Sequence, residues 1–245
     1  MKTQNQNSDK PNALPCVQTP VSRSRFVPML FSTPMVQAIL NGTKLETRRL
    51  LKPQPYPVTR HGLEVQTTFE WDYSKKNADL PDFEWLNFSP GKVGDIIWVR
   101  ETFCNDERGS ESGEDDCFYY KADMAYDIWL GCWKPSLFMP KKACRLFLEV
   151  VSVSVERLKD IDEQGAINEG IEDMLLNVDT PANAFRNYMT TRKELEKDHW
   201  SHVANDAVES YMTLWQKING KDSWDLNPFV WVYKFRSIPL PTDFC

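Results

Sequence analysis

The chain has 245 residues, of which 41% are hydrophobic and 26% are charged, and its formal net charge is −6. This length and composition predict a globular protein with one large domain, and they exclude a chain that lacks a hydrophobic core. The acidic balance excludes a protein coated in positive charge for non-specific nucleic-acid binding, so any such contact has to be local.

Cysteine and histidine usage indicates neither disulfides nor metal. The six cysteines form no C-x-x-C pair and no apolar signal segment precedes them, which predicts reduced thiols in a cytoplasmic protein. His199 and His202 lack a third ligand in register and are expected at the surface, so no metal or other cofactor is expected. No apolar run approaches the roughly 18 residues that would span a bilayer, so no membrane contact is expected.

The N-terminal quarter begins with a polar segment and then becomes regular. Residues 1–24 are rich in Asn, Gln, Ser, Lys and Pro, and they predict a flexible arm because few apolar groups offset the entropy of ordering. Residues 25–31 are predicted to form a first strand. A short helix should follow, capped by Thr33 with Pro34 as its first residue and ended by Gly42 in the left-handed conformation.

The segment 41–49, with the sequence NGTKLETRR, is the best candidate for a functional site. Lys44 is expected in the turn behind the helix, and residues 45–51 are expected to form a strand. Lys44 and Thr47 lie three positions apart and do not share a face of a regular strand. Any partnership between them therefore requires Lys44 to turn back towards the strand.

Two adjacent arginines continue this strand with their side chains on opposite faces. Arg48 and Arg49 suit a bidentate clamp on a phosphate group. Because Glu46 is next to them, ordinary ion pairs fit equally well. The sequence leaves both readings open.

The middle of the chain alternates long polar segments with strands. Residues 52–90 contain five prolines and no sustained period, which predicts a long insertion that packs on the sheet. A strand is predicted over 96–103. Near its end Arg100 and Glu101 either line a pocket or pair with neighbouring residues, and a structural ion pair at the rim of the barrel is the favoured reading. The acidic residues 105–116 are then a solvated loop, and 117–121 is the partner strand.

A basic and aromatic segment precedes the longest predicted strand. Trp133 lies in a proline-bounded loop, where an exposed ring can stack on a base. Basic groups interleaved with aromatic groups suit a phosphate backbone and a stacked base. The candidate nucleic-acid-binding residues of this segment are Trp133, Lys134, Lys141, Lys142 and Arg145.

The last third of the chain predicts a central strand, two helices and a closing strand. A short helix capped by Asp160 or Asp162 should carry Glu169 near its end. The remaining predicted segments are a strand over 143–155, an insertion over 172–206, a helix over 207–218 and a strand over 227–235. The helix has an apolar face that is expected in the core, formed by Val208, Tyr211, Met212, Trp215 and Ile218.

Several of these motifs together resemble the ASCH domain. They are the turn at 42–44, the strand with Thr47 and Arg49, the Gly-Asp turn before the segment 97–102, and Glu169 after a long strand. Over residues 25–237 the chain is similar to the longer ASCH proteins of bacteriophages and prophages. The segments that carry this second likeness are W-x-P-S-x-F-M-P at 133–140 and N-G-x-x-S-W-x-x-N-P-x-V-W-V at 219–232.

The resemblance implies an α+β fold with a PUA-like mixed β-barrel, short helices packed outside it and long inserted loops. It implies a single domain over residues 25–240 with insertions at about 52–90 and 172–206. It also implies nucleic-acid binding, with RNA or a modified nucleoside as the expected partner and DNA as an alternative.

Within the same superfamily, amidohydrolases that act on N4-acetylcytidine carry a G-x-K-x-x-T motif and a later glutamate. The resemblance assigns these three catalytic positions to Lys44, Thr47 and Glu169. Thr47 would be the nucleophile, Lys44 in its neutral form the base, and Glu169 the group that orients Lys44 or relays a proton. Burial and nearby arginines lower the pKa of Lys44 whereas glutamates raise it, so the sign of the net shift cannot be read from sequence.

Three hypotheses about function follow. The first is an ASCH-type protein that binds RNA or a modified nucleoside. The second is an amidohydrolase that removes an acyl group from N4-acetylcytidine. The third is a phage structural or host-interaction protein that uses the barrel as a scaffold.

Overall fold

The computed structural model describes a large part of the chain. The described residues are 25–52, 54, 56–57, 69–70, 89–105, 118–124, 132–173, 184–190 and 203–244. The predictions for the arm at 1–24, for the acidic loop at 106–116, for His199 and His202, and for most of both insertions lie outside these residues. Within the described ranges, no helix is long and apolar enough to cross a membrane.

The fold is α+β and is organised around one five-stranded sheet. The strands of this sheet lie in the spatial order β1-β5-β8-β11-β2, with β1 parallel to β5 and the other pairs antiparallel. They are β1 (Phe26–Leu30), β2 (Glu46–Leu50), β5 (Ile96–Arg100), β8 (Phe147–Arg157) and β11 (Phe229–Ile238). Among the described residues the α-helices are α1 (Thr33–Leu40), α2 (Glu163–Asn168) and α3 (Ala207–Asn219).

Within the part of the chain that the structure describes, three two-stranded pairs accompany the main sheet. They are β3 (Tyr56–Pro57) with β4 (Phe69–Glu70), β6 (Phe103–Asn105) with β7 (Phe118–Tyr120), and β9 (Phe185–Arg186) with β10 (Val203–Ala204). The strand predicted over 96–103 is therefore divided into β5 and β6. The strand predicted over 117–121 pairs with β6 and is not part of the main sheet. The long strand begins at Phe147 rather than at residue 143, because residues 141–143 form a 3₁₀ turn behind Pro140.

Alternation along β11 separates two apolar cores, as the period of two in a strand requires. Trp231 and Tyr233 face the core that β1, β5, β8 and β11 share with α1. Val230 and Val232 face the opposite side, where α2 and α3 cover the sheet. Edge strand β2 pairs with β11, so its side chains alternate between the same two sides. Arg49 and Thr47, which pair with Trp231 and Tyr233, therefore point into the first core.

The two edge strands of the sheet approach each other. Among the described strands, β1 and β2 are edges and no hydrogen-bonded ladder joins them. One side chain bridges the gap, since the guanidinium of Arg49 on β2 donates to the carbonyl of Leu30 on β1 at 2.8 Å. The sheet is thus curled around the first core.

The beginning of α1 differs from the prediction, whereas its end agrees with it. Ser32 is the N-cap and makes no side-chain capping bond, and Thr33 is already helical. The prediction of Thr33 as the cap was wrong, because after strand β1 the helix begins one residue earlier than predicted. Gly42 has a φ of 73°, as predicted for the residue that ends the helix.

Cys104 and Cys132 form a disulfide, so the prediction of reduced thiols was wrong for these two residues. The backbone explains their proximity. Phe103 and Lys134 exchange two backbone hydrogen bonds, of 2.7 and 3.2 Å, which brings the Cα atoms of the two cysteines within 5.4 Å. The spacing of the cysteines in the sequence does not predict this pairing. Cys144 is a free thiol.

Candidate functional site

The turn between α1 and β2 turns Lys44 into the protein interior. The amides of Thr43 and Lys44 both donate to the carbonyl of Ala38, at 2.9 and 3.1 Å, which folds the chain back over the end of the helix. The Lys44 side chain is fully buried, and its Nζ donates to Oε2 and to the backbone carbonyl of Glu169, both at 2.7 Å. Lys44 therefore turns back as the site prediction required, but towards Glu169.

Glu169 reaches this position because α2 is short and has well-defined ends. Asp162, one of the two predicted caps, accepts a hydrogen bond from the amide of Gly165 at 2.7 Å, and Glu169 is the C-cap. Gly170 follows with a φ of 79°. A Cβ atom there would lie 2.7 Å from Ala38 and 2.8 Å from Lys44, so only glycine permits this close approach.

The carboxylate of Glu169 also binds the free edge of β2. Its Oε1 accepts the backbone N–H of Arg48 at 2.6 Å, while Oε2 holds Lys44. The amide of Leu45 donates to the carbonyl of Asn168 at 2.8 Å. The end of α2 thus takes the place of a neighbouring strand along this edge, which satisfies backbone groups that would otherwise be unpaired.

Arg48 continues the network on the face covered by α2 and α3. Its Nη1 lies 2.7 Å from Oε1 of Glu46 and 3.5 Å from Oε1 of Glu169, and its Nη2 lies 3.5 Å from Glu156. Arg48, Glu46 and Glu169 are all buried. Of the two predicted roles for Arg48, the structure contains the ion pair with Glu46.

Arg49 points to the other face, into the first core. Besides its bond to Leu30, its guanidinium lies 4.9 Å from the centre of the Phe31 ring. No carboxylate forms an ion pair with Arg49 among the described residues. Burial, as the largest cause, lowers the pKa of Arg49 from its ordinary value.

Thr47 is buried opposite Tyr233 and shares the face of Arg49. No hydrogen bond joins the Thr47 hydroxyl to Lys44 or Glu169, although the next backbone amide, that of Arg48, is held by Glu169. The structure thus brings together two of the three predicted catalytic side chains, Lys44 and Glu169, and places Thr47 beside them on a backbone that Glu169 anchors.

The charge state of Lys44 decides what this arrangement can do chemically. Burial is the largest cause and lowers the pKa of Lys44, while the charge and hydrogen bond of Glu169 act in the opposite direction. The net shift is downward, which is the sign that the sequence left open. A lysine with a lowered pKa is more readily neutral and can then accept a proton.

The predicted basic segment lies near edge strand β1 rather than near β2. Lys134, Lys141 and Lys142 are exposed and Trp133 is partly buried. The Nζ of Lys141 lies 4.4 Å from the centre of the Phe244 ring and 5.6 Å from that of Phe26 on β1.

Arg145 differs from these lysines because two carboxylates already bind its guanidinium. Its Nε and Nη2 donate to the two oxygens of Glu101, at 2.9 and 3.1 Å, and its Nη1 donates to Asp123 at 2.7 Å. Glu101 therefore forms the predicted structural ion pair. A phosphate group would have to compete with both carboxylates for Arg145.

Sequence reasoning missed the residues of α3 that complete the site. Tyr211 and Trp215 belong to the apolar face that the sequence assigned to the core, and both are buried. They also line a cavity of about 60 Å³ together with Arg48, Arg49 and Glu169. The period of α3 predicted the burial of Tyr211 and Trp215 correctly, but it was wrong for Ile218, which is 55% exposed. It also could not reveal that the buried face meets the charged edge of β2.

A larger cleft of about 300 Å³ lies on the other side of Arg48. Its charged lining residues are Glu46, Arg48, Glu156, Asp160, Asp162 and Lys234. The cleft therefore offers both hydrogen-bond acceptors and donors. No group of His, Cys, Asp and Glu side chains suited to a metal ion occurs among the described residues.

Comparisons with models of protein families, with curated proteins and with solved structures found no significant match for this chain.

Proposed function

We propose that this protein is an ASCH-type protein with a PUA-like barrel, and that it binds RNA or a modified nucleoside next to β2. The observation that carries the proposal is the buried network in which Glu169 holds both Lys44 and the backbone of Arg48. The sequence motifs at 42–49 and at Glu169, far apart in the chain, meet there. The curled sheet with its edges bridged by Arg49 supports a barrel-like architecture.

A purely structural role explains this network poorly. Taking charged groups out of water costs several kcal/mol per ion, and apolar residues of similar volume stabilise a fold as well or better. Buried ionisable groups with shifted pKa values cluster at functional sites for this reason. The burial of four charged side chains at one edge of the sheet favours a binding site. They are Lys44, Glu46, Arg48 and Glu169.

The cleft beside Arg48 supports a nucleoside as the ligand. Its volume of about 300 Å³ reaches the lower end of the range for small-molecule sites. Glu46 and Glu156 can accept hydrogen bonds from the amino groups of a base or from ribose hydroxyls, and Lys234 can donate them. The protein is acidic overall, so the expected binding depends on this local arrangement.

The second candidate function is the hydrolysis of N4-acetylcytidine, which the lowered pKa of Lys44 favours. In this reaction the Thr47 hydroxyl would attack the acetyl carbonyl while neutral Lys44 accepts its proton. The bond from the acyl carbon to N4 would then break, and the Lys44 ammonium would return the proton to N4. Water would release acetate from Thr47. Binding remains the first proposal because no hydrogen bond joins Thr47 to Lys44.

One experiment separates the hypotheses. Binding of a short RNA and of the DNA of the same sequence is measured by fluorescence anisotropy at several salt concentrations, and N4-acetylcytidine is incubated with the protein and analysed by chromatography for cytidine. Salt-dependent RNA binding without cytidine release is the expected result. Cytidine release identifies the enzyme, and the absence of both activities contradicts the proposal and favours the scaffold.

A matched pair of variants tests the location. Glu156 and Glu149 lie on the same strand, and their side chains are 35% and 33% exposed. Only Glu156 lines the cleft. Glu156→Gln should weaken nucleoside competition for the RNA site, whereas Glu149→Gln should leave it unchanged. Equal effects of the two variants would place the ligand elsewhere.

A further inference from the structure

Three buried N–H groups without a partner belong to residues that line one small cavity. They are Nε of Arg48, Nε of Arg49 and Nε1 of Trp215. Among the described residues, only Arg100 and Asn105 have other buried side-chain atoms without a hydrogen bond, and neither residue lines this cavity. A buried donor without an acceptor costs free energy. Three such donors on the residues that line one cavity point to acceptors from outside the chain.

The charges around the cavity leave one positive charge uncompensated. The charged residues of its lining are Arg48, Arg49 and Glu169, and no carboxylate among the described residues forms an ion pair with Arg49. Burial lowers the pKa of Arg49, which means that its charged form is poorly stabilised where it lies. An anion beside it would supply the missing compensation.

Glu169 also lines the cavity but does not provide free acceptors. Its Oε2 accepts from Lys44, and its Oε1 accepts the backbone amide of Arg48 and lies 3.5 Å from Nη1 of the same residue. Among the residues that line the cavity, the buried polar side-chain atoms without a partner are therefore all donors. The remaining walls include the apolar side chains of Met35, Leu50, Leu214 and Ile218.

We propose that this cavity binds a phosphate monoester, either of a free mononucleotide or at the end of a nucleic acid. A phosphate monoester carries three strong acceptor oxygens, one for each donor, whereas a carboxylate has only two oxygens. The inference rests on the proposed function for the nucleotide that carries the phosphate, but the preference for phosphate follows from the cavity itself.

Size decides between a terminal phosphate and an internal one. The cavity measures about 60 Å³ and opens to solvent, far below the roughly 300 Å³ of a site that encloses a whole small ligand. It therefore admits the phosphate group while the nucleoside stays outside. An internal phosphodiester continues into chain on both sides and cannot enter a recess of this size.

The test compares ligands that differ only in the terminal phosphate. Inorganic phosphate and a nucleoside monophosphate are titrated by calorimetry. One short RNA is prepared with a 5′-phosphate, with a 3′-phosphate and with hydroxyls at both ends, and each form is titrated by anisotropy. One phosphorylated form should bind about tenfold or more tightly than the hydroxyl form, since one charge-assisted hydrogen bond contributes roughly a factor of ten.

Two variants and two matched controls connect this preference to the cavity. Trp215→Phe keeps an aromatic ring and removes the Nε1 donor, and Trp224→Phe is its control in the same apolar cluster but outside the cavity lining. Arg49→Lys keeps the charge and removes Nε. Arg157→Lys is its control, because Arg157 likewise donates to a backbone carbonyl and lies over an aromatic ring.

The preference for a terminal phosphate should fall about tenfold in Trp215→Phe and in Arg49→Lys, and in neither control. Equal binding of all three RNA forms would overturn this inference while leaving the proposed RNA binding intact. Binding of phosphate or the monophosphate without any RNA binding, lost in Trp215→Phe, would support the cavity and refute the proposed RNA binding. A loss of equal size in Trp215→Phe and Trp224→Phe would show general damage to packing and would also overturn the inference.

Discussion

The Nζ atom of Lys44 lies 2.7 Å from Oε2 of Glu169, and the two side chains are only 0% and 2% exposed. This pair connects the turn behind α1 to the end of α2, and through Oε1 of Glu169 to the backbone of β2. Each charge depends on the other, because neither has access to water. The candidate site and the stability of this edge of the sheet therefore depend on the same contact.

Removing the negative charge of Glu169 should destabilise the protein strongly. Glu169→Gln keeps the size of the side chain but leaves the Lys44 ammonium buried without compensation, a change that costs about 3–5 kcal/mol. Urea unfolding measures the loss. The control is Glu149→Gln, which removes a partner of the exposed Arg236 and should cost about 1 kcal/mol or less.

The loss in Glu169→Gln should also depend on pH in a known direction. The pKa of Lys44 is lowered by burial in the folded protein, so the unfolded chain binds more protons between the folded pKa and the ordinary value of 10.5, and stability rises with pH across that window. Without Glu169 the folded pKa falls further and the window widens. Unfolding at pH 6 and pH 9 should therefore show the smaller loss at pH 9, and an equal loss at both would mean that Lys44 is not the residue left uncompensated.

Hydrolysis of N4-acetylcytidine, if present, should require Lys44, Thr47 and Glu169 as one unit. Lys44→Ala, Thr47→Ala and Glu169→Gln should each abolish cytidine release, and double variants should be little worse than single ones. Thr47→Ala is the most informative, because it leaves the buried charges in place and should fold. A folded Thr47→Ala protein with turnover near that of the wild type would remove Thr47 as the nucleophile.

Replacement of Arg145 should reveal the buried charge of Glu101, which is only 1% exposed. Arg145→Met should cost about 3 kcal/mol near neutral pH, because the carboxylate loses both guanidinium contacts. Burial already raises the pKa of Glu101 above 4.5, and Arg145 opposes that rise.

The pH dependence of this variant has a definite sign. A carboxyl group with a raised folded pKa binds more protons in the folded state, so stability falls as pH rises through that pKa. Urea unfolding should show a larger deficit for Arg145→Met at pH 8 than at pH 5. Arg186→Met, which disrupts a pair with the exposed Glu172, should show a small deficit at both values. A deficit for Arg145→Met that is the same at both pH values would contradict the assignment.

The exposed lysines at 134, 141 and 142 should determine part of the salt dependence of the proposed RNA binding. Replacing all three by alanine should weaken binding similarly for all sequences, and each lost phosphate contact should reduce the salt slope by about 0.7 for a single strand. Arg145 is left unchanged because Glu101 and Asp123 bind it.

The control for these lysines removes the same charge elsewhere. Lys92, Lys217 and Lys221 are exposed and lie outside the segment, so their replacement by alanine should change the slope less. An unchanged slope in the first triple variant would assign its lysines to solubility.

The sequence by itself determined the local elements. Gly42 ends α1, Asp160 or Asp162 caps α2, and the period of α3 indicates most of its buried face, because each signal acts between residues a few positions apart. The sequence also identified the segment 41–49 and Glu169 as candidate site residues. Local signals did not determine the N-cap of α1, the division of the strand at 96–103 or the disulfide, since each depends on where a neighbouring segment lies.

The tertiary structure decided which charged groups meet. Lys44 and Glu169 are 125 residues apart, and only the docking of α2 on the edge of β2 determines that Lys44 binds Glu169 rather than Thr47. The same docking sets the direction of the Lys44 pKa, because the net shift depends on how deeply the amine is buried and how close the carboxylate lies. The depth of the Lys44 amine and its distance to the Glu169 carboxylate result from the packing of α2 and α3 against the whole sheet. Local sequence patterns therefore do not predict them.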